Sequence, residues 1–396
     1  MTRKRFAVFC FGVWILLIQL PVCVQAEDPG SLFSLSAVLM DADSGRVLYG
    51  KEEDTPRPNA STTKVMTCIL ALERASGDDY VMVSSNAAAQ PDVQLGMKEG
   101  EQYYMEDLLY SLMLESHNDT AVAIAEHIGG TVEGFAALMN DKAVKLGCTD
   151  THFVTPNGLD GMDEGGIHRT TARDLSLIMR YAIKSKTFLH ITQTREYTFS
   201  DIKGERQFTV HNTNAFLDMQ EGMLSGKTGF TSDAGYCYVC ACRIGEKTFI
   251  VSLLGCGWPN HKTYKWQDTK KLLNYGDEFF EYRKIWQSVN TEKVPVRQGA
   301  DSKLRLGEQV CVSAVPKVSE EFMECRLLLK EDDRISYKLS LPDEITAPVR
   351  KGNRLGTLAC YINNEEYASF PVTAGEDVKK ITVSWCVKLV FERYFH

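Results

Sequence analysis

Positive charge is in short supply in this chain. Among 396 residues, 44 lysines and arginines face 52 aspartates and glutamates, giving a formal net charge of -8 and a pI near 5.6. No basic patch offsets that balance, which argues against a nucleic-acid surface. Internal repeats and low-complexity tracts are absent. So is the H-E-x-x-H pattern, and Cys237, Cys240 and Cys242 in "YCYVCACR" lack a second Cys or His pair at zinc spacing, so no zinc site is expected. His152, His168 and His211 are irregularly spaced and read as structural. The apolar run Phe6–Leu20 is too short to favour a retained membrane span.

Arg3, Lys4 and Arg5 precede that run, and "VQA" at 24–26 follows it at cleavage-site distance, the layout of a secretory signal peptide. The expected division is a signal segment over 1–26, a main domain over 27–290, a small β-rich domain over 291–374 and a tail over 375–396. Export would normally bring disulfides. The 12 cysteines are scattered, however, and two of them, Cys10 and Cys23, fall in the signal segment, so buried free thiols are the expectation for the rest. Cys23 is poorly flanked for lipidation, with Val22 and Val24 beside it. Hydrophobic residues at 44% and charged residues at 24% are ordinary globular values.

"LFSLSAVLMDADSGRVLYGK" (32–51) predicts a hairpin around "DADSGR". Helices are expected after Ser61, over 104–115, over "DTAVAIAEHIGG" and after Thr171, where Thr171 and Asp174 have capping-box spacing. Beyond Met223 the pattern turns to β, with a second hairpin around "IGEK", and "YKWQDTKKLLNYGDEFFEYR" predicts a helix over 264–283. The tail combines Lys379, Lys380, Lys388 and Arg393 with Ile381, Trp385, Leu389, Val390 and Phe395. It suits a helix lying at a membrane interface or a last strand.

Three short fragments carry chemistry. In "ASTTK" a helix turn brings Ser61 and Lys64 onto one face. A serine hydroxyl is a weak nucleophile until a neighbour takes its proton, and a lysine can do so when burial lowers its pKa. Alone, the pattern equally describes a capping serine and a solvated lysine. "ESHNDT" sets Ser116 and Asn118 two apart between apolar helices, where they can face a cleft, Ser116 as a proton relay and Asn118 as a substrate-amide contact; Asn118 or Asp119 as a helix cap is the simpler alternative. In "SGKTGF" Gly229 permits close backbone approach on a strand edge that can pair with a peptide, while Lys227 and Thr228 can bind a carboxylate; a turn with an exposed lysine is the alternative.

The order S-x-x-K, S-x-N, K-T-G is that of β-lactamases and penicillin-binding proteins, with His117 standing where the middle triplet usually has Asp. With "FVTPNGLDG", "TTARDLSLIMRYAI" and "LLNYGDEFF", the chain from about Leu35 to Tyr282 closely resembles the low-molecular-mass penicillin-binding proteins, the serine-type D-alanyl-D-alanine carboxypeptidases. The resemblance implies an α+β, β-lactamase-like fold, an antiparallel sheet flanked by helices, with a small C-terminal β domain. It implies Ser61 as nucleophile, Lys64 as base, and Ser116 with Lys227 returning the proton to departing D-alanine. Asn118 would orient the substrate, Thr228 and Lys227 hold its carboxylate, and the N–H groups of Ser61 and Phe230, beside Gly229, receive the oxyanion. It further implies a peptidoglycan muropeptide as substrate, β-lactams as inhibitors and no cofactor. A β-lactamase and a non-catalytic penicillin or muropeptide sensor are the rivals. "FVTPNGLDGMDEGG" shows no glutamate in a convincing deacylating position.

Overall fold

The computed structural model describes residues 28–301 and 308–394. The signal segment expected over 1–26 and Phe395 of the tail lie outside them.

The hairpin from "LFSLSAVLMDADSGRVLYGK" forms as β1 (Ser36–Asp41) and β2 (Val47–Lys51). It joins β3 (Met223–Thr231), β4 (Gly235–Ile244) and β5 (Lys247–Leu254) in one antiparallel sheet of order β2-β1-β5-β4-β3. β3 is therefore an edge strand. Along β1, Val38 and Met40 point into one core while Ala37 and Leu39 point into another. Strict alternation with apolar residues at every step means that both faces of the sheet are covered.

One face is covered by α5 (Tyr264–Phe279), whose Leu272, Leu273 and Tyr275 pack with Phe249 and Val251 of β5. The other carries α1 (Lys64–Arg74), α2 (Met105–Leu114), α3 (Asn118–Gly129) and α4 (Ala172–Ala182). Burying an aliphatic or aromatic side chain contributes about 1.5–3 kcal/mol, and α1 buries Val65, Met66, Ile69 and Leu70 almost completely. The Thr171 hydroxyl accepts from the Asp174 N–H, as a cap should. Only half of the capping box forms, because the Asp174 carboxylate turns instead to the Asp150 N–H (3.0 Å) and the Thr151 hydroxyl (2.8 Å).

The helix expected over 264–283 stops at Phe279. Glu281–Lys284 leaves it as a strand paired with Arg326–Leu329, a long-range partner that outweighs local helical preference. Beyond it, strands Ile335–Ser340, Arg354–Ile362, Glu365–Ala374, Cys311–Pro316, Lys293–Arg297 and Ile345–Thr346 lie side by side in that order, around Val294, Val312, Leu358 and Val372. This is the small C-terminal β domain.

The tail is a helix, α6 (Val383–Tyr394), rather than a strand, and Val387, Val390 and Phe391 on it are more than half exposed. Lys379 and Lys380 precede it in a short strand against Gly299–Ala300. Among the described residues no helix is long and apolar enough to cross a membrane, and the cysteines are free, most of them buried.

Candidate active site

Ser61 lies in a tight helical turn, Ala60–Thr63, that leads into α1. The turn is fastened by its neighbours. Asn59 Nδ2 donates to the hydroxyls of Thr62 (3.2 Å) and Thr63 (2.8 Å), and Thr63 Oγ1 meets His168 Nε2 at 2.8 Å. Neither this turn nor α1 has a side-chain cap, so the Ser61 hydroxyl is not used as one. One turn on, Lys64 Nζ donates to Ser61 Oγ at 2.9 Å.

Lys64 is fully buried, and its other partners are Asn118 Oδ1 (2.9 Å) and the Asn157 carbonyl (2.8 Å). No carboxylate is among them. Burial lowers its pKa well below the usual 10.5, the Lys227 charge lowers it further, and Asp119 partly opposes both. A lysine so placed can be neutral at working pH and can accept a proton from the hydroxyl it touches.

A second Ser–Lys pair faces the first. Lys227, on edge strand β3, is 2% exposed and donates to Ser116 Oγ at 2.8 Å and to the Thr228 carbonyl at 3.1 Å. Burial pulls its pKa down to about 7. Ser116 sits between α2 and α3 with φ +69°, which turns its hydroxyl toward β3. Asn118 does not cap α3. Its Oδ1 holds Lys64, and its Nδ2 donates to the carbonyls of Pro91 (3.1 Å) and Asp92 (3.2 Å). Asp119 is not the N-cap either, a position that falls to His117; its carboxylate accepts from the N–H groups of Leu95, Gly96 and Met97 and from that of Thr120 beside it.

Gly229 passes directly over the Ser61 turn. A Cβ there would lie 2.8 Å from Ser61 N and 3.0 Å from Thr62 N, so only glycine lets the strand approach so closely. Phe230 follows, 41% exposed, its ring 4.7 Å from that of Tyr236. Ser61, Ser116, Thr228, Gly229 and Phe230 thus line one cleft of about 450 Å³. All eight residues singled out in the sequence converge at or beside it.

Sequence reasoning missed others. The Asn157 carbonyl is a ligand of Lys64, and Gly158 at φ +81° lies so close to the turn that a Cβ would fall 1.9 Å from the Ala60 carbonyl oxygen. The Asn-Gly turn in "TPNGLDG" was the available signal. Lys265 lines the same cleft on α5, 7% exposed between the rings of Tyr236 (4.7 Å) and Trp266 (4.5 Å), with burial lowering its pKa to about 8. Nothing in "TYKWQD" marks it. Of the histidines, His168 is buried, with its pKa pushed down to about 4, and accepts at Nδ1 from the Val154 N–H (3.1 Å), while His152 and His211 meet Asp163 (2.6 Å) and Glu196 (3.2 Å). Among the described residues no cluster of His, Cys, Asp or Glu could hold a metal. A smaller cavity of about 330 Å³ at Ile69, Leu72, Glu73, Tyr181 and Phe188 has no serine hydroxyl bonded to a lysine; there the Tyr181 hydroxyl donates to the Glu73 carboxylate at 2.6 Å.

Such an arrangement belongs to the serine acyl-transfer enzymes that use lysine where others use histidine. Similarity to known proteins defines it further. A family profile described as D-alanyl-D-alanine carboxypeptidase matches residues 23–257, more than half of the chain, and one described as the C-terminal domain of penicillin-binding protein 5 matches 268–380. The chain belongs to the D-alanyl-D-alanine carboxypeptidase family and is a serine-type enzyme, as the sequence motifs implied. It is 30% identical over 351 residues to D-alanyl-D-alanine carboxypeptidase DacF of Bacillus subtilis strain 168, covering 87% of this chain and 86% of that one. To DacB2 of Mycobacterium tuberculosis it is 35% identical over 60% of this chain and 80% of the other. The structure of penicillin-binding protein 5 from Haemophilus influenzae superposes with a TM-score of 0.65 at 26% identity, over 89% of this chain and 99% of that one.

Proposed function

We propose that this carboxypeptidase is exported, that it removes the terminal D-alanine from peptidoglycan pentapeptide stems through an ester on Ser61, and that penicillins inhibit it by forming a slower version of that ester. Lys64 takes the Ser61 proton as Oγ attacks the carbonyl between the two D-alanines. The developing oxyanion is received by the N–H groups of Ser61 and Phe230 at the positive end of α1. The C–N bond then breaks, and the amine leaves with a proton passed through Ser116 and Lys227. Water, deprotonated by Lys64, hydrolyses the ester. Thr228 and Lys227, with Lys265, hold the carboxylate of the leaving residue. Asn118 keeps Lys64 aimed and orients the substrate amide, and the stem peptide extends along β3.

The observation that carries this reading is the 2.9 Å contact between Ser61 Oγ and a buried lysine with no carboxylate partner. An ordinary lysine is protonated and cannot act as base. The test is D-alanine release from a pentapeptide ending in D-Ala-D-Ala. Release that disappears in Ser61→Ala supports the reading, whereas binding without release favours a sensor, and rapid hydrolysis of a chromogenic cephalosporin favours a β-lactamase. Among the described residues no carboxylate is hydrogen-bonded to Ser61 or Lys64 where it could activate a deacylating water, which supports the carboxypeptidase reading.

We also propose cleavage after residue 26, a domain boundary near 290 and attachment of α6 to the outer face of the cytoplasmic membrane. Apolar Val387, Val390 and Phe391 beside Lys388 support the attachment. Co-sedimentation with anionic vesicles, lost on removal of 383–396, tests it.

A further inference from the structure

Ser116 has a conformation that a residue with a Cβ adopts reluctantly, φ +69°, yet its hydroxyl position depends on it. Its two neighbours are a glutamate and a histidine, and the histidine departs from the Asp usual at the middle of this triplet. The two side chains meet, with Glu115 Oε2 3.2 Å from His117 Nε2. Each is fastened at its other side. Glu115 Oε1 accepts from the His211 N–H at 2.9 Å, and His117 Nδ1 lies 2.8 Å from Ser111 Oγ on α2, which in turn lies 2.8 Å from Thr120 Oγ1 on α3.

We propose that Glu115 and His117 are positioning residues of the reaction, whose side chains close across Ser116 and hold its hydroxyl on Lys227. The proposal rests on the reading that Ser116 relays a proton. The three residues between α2 and α3 form one turn whose middle member is strained, and a bond between its flanks removes the easiest relaxation, rotation of Ser116 into the right-handed region. That rotation would carry Oγ away from Lys227. The imidazole is 4% exposed and faces Glu115 on its own turn, Asp119 on α3, Lys64 on α1 and Lys227 on β3. Burial lowers its pKa, the two lysines lower it further, and Asp119 and Glu115 oppose them. Neutral His117 therefore donates from Nε2 to Glu115 and accepts at Nδ1 from the Ser111 hydroxyl. It brings no positive charge of its own next to Lys64 and Lys227.

The test measures kcat and KM for D-alanine release in the full chain for Glu115→Ala, His117→Ala and His117→Gln, each alone and combined with Ser116→Ala. A catalytic group held about 1 Å out of place loses up to about a hundredfold in rate. His117→Ala should approach that loss and Glu115→Ala should lose about tenfold, both in kcat with KM nearly unchanged. His117→Gln, which can still donate to Glu115, should recover most of the activity. In the Ser116→Ala background none of the three should cost anything more. Equal losses with and without Ser116, or losses confined to KM, would overturn the proposal while leaving the relay intact. An unchanged kcat in Ser116→Ala alone would remove the relay reading and the proposal with it. Should His117→Ala unfold at the assay temperature, Glu115→Ala, at a partly exposed position, reads out the same dependence on Ser116.

Discussion

The cleft and the C-terminal β domain follow opposite rules. In the β domain the core is built on Val294, Val312, Ala314, Leu358 and Val372, and among the described residues the left-handed non-glycine positions are Gln298, Asn363 and Asn364, of which asparagine tolerates that conformation. In the cleft, three lysines are buried, and Ala60 and Ser116 carry the left-handed angles. Local preference and fold agree in the first region and conflict in the second, which is where a functional site is expected to conflict with them. The difference marks the cleft as the candidate site before any substrate is considered.

The largest effects should come from breaking the cleft. Lys64→Met removes the proposed base and should lower kcat for D-alanine release about 10²–10⁴-fold, the usual range for general acid–base help. Intact enzyme should gain activity with rising pH as Lys64 loses its proton, and the midpoint should lie well below the 10.5 of an ordinary lysine. Gly229→Ala puts a Cβ against Ser61 N and should lower kcat/KM about 10²–10³-fold, the loss seen when one oxyanion donor is displaced.

Lys227→Met sharpens the comparison by reversing it. The folded-state pKa of Lys227, about 7, lies below the unfolded 10.5. Between those values the unfolded chain holds a proton that the folded chain lacks, so the lysine's contribution to stability rises with pH across that window and is least favourable below 7. The variant should therefore lose activity yet be more stable at pH 6–7, by on the order of a few kcal/mol and seen as a higher unfolding temperature, with the gain shrinking toward pH 10. Calorimetry across that pH range checks it. Leu358→Ala in the β domain should do the opposite, costing about 2–5 kcal/mol of stability in that domain with kcat for D-alanine release unchanged. Removing α6 should have the smallest effect, none on a soluble pentapeptide.

How much of this was legible in the sequence follows the same division. Strands β1, β4 and β5 and helices α1 to α4 announced themselves through alternation, periodicity and turn residues, because local pattern and fold agree there. Ser61, Lys64, Ser116, Asn118 and Lys227 were legible only as a set of spaced motifs, since no single fragment says which other fragment it meets. Asn157 escaped because it acts through a backbone carbonyl, which every residue has. Lys265 escaped because its place between Tyr236 and Trp266 depends on how α5 packs. The strand Glu281–Lys284 escaped because its partner lies more than forty residues away in sequence.

Incubation of the protein with labelled penicillin, followed by peptide mass mapping, tests the central claim most directly. The account predicts one adduct, on the peptide carrying Ser61, formed in wild type and absent from Ser61→Ala. An adduct on another residue, or D-alanine release that survives Ser61→Ala, would contradict it.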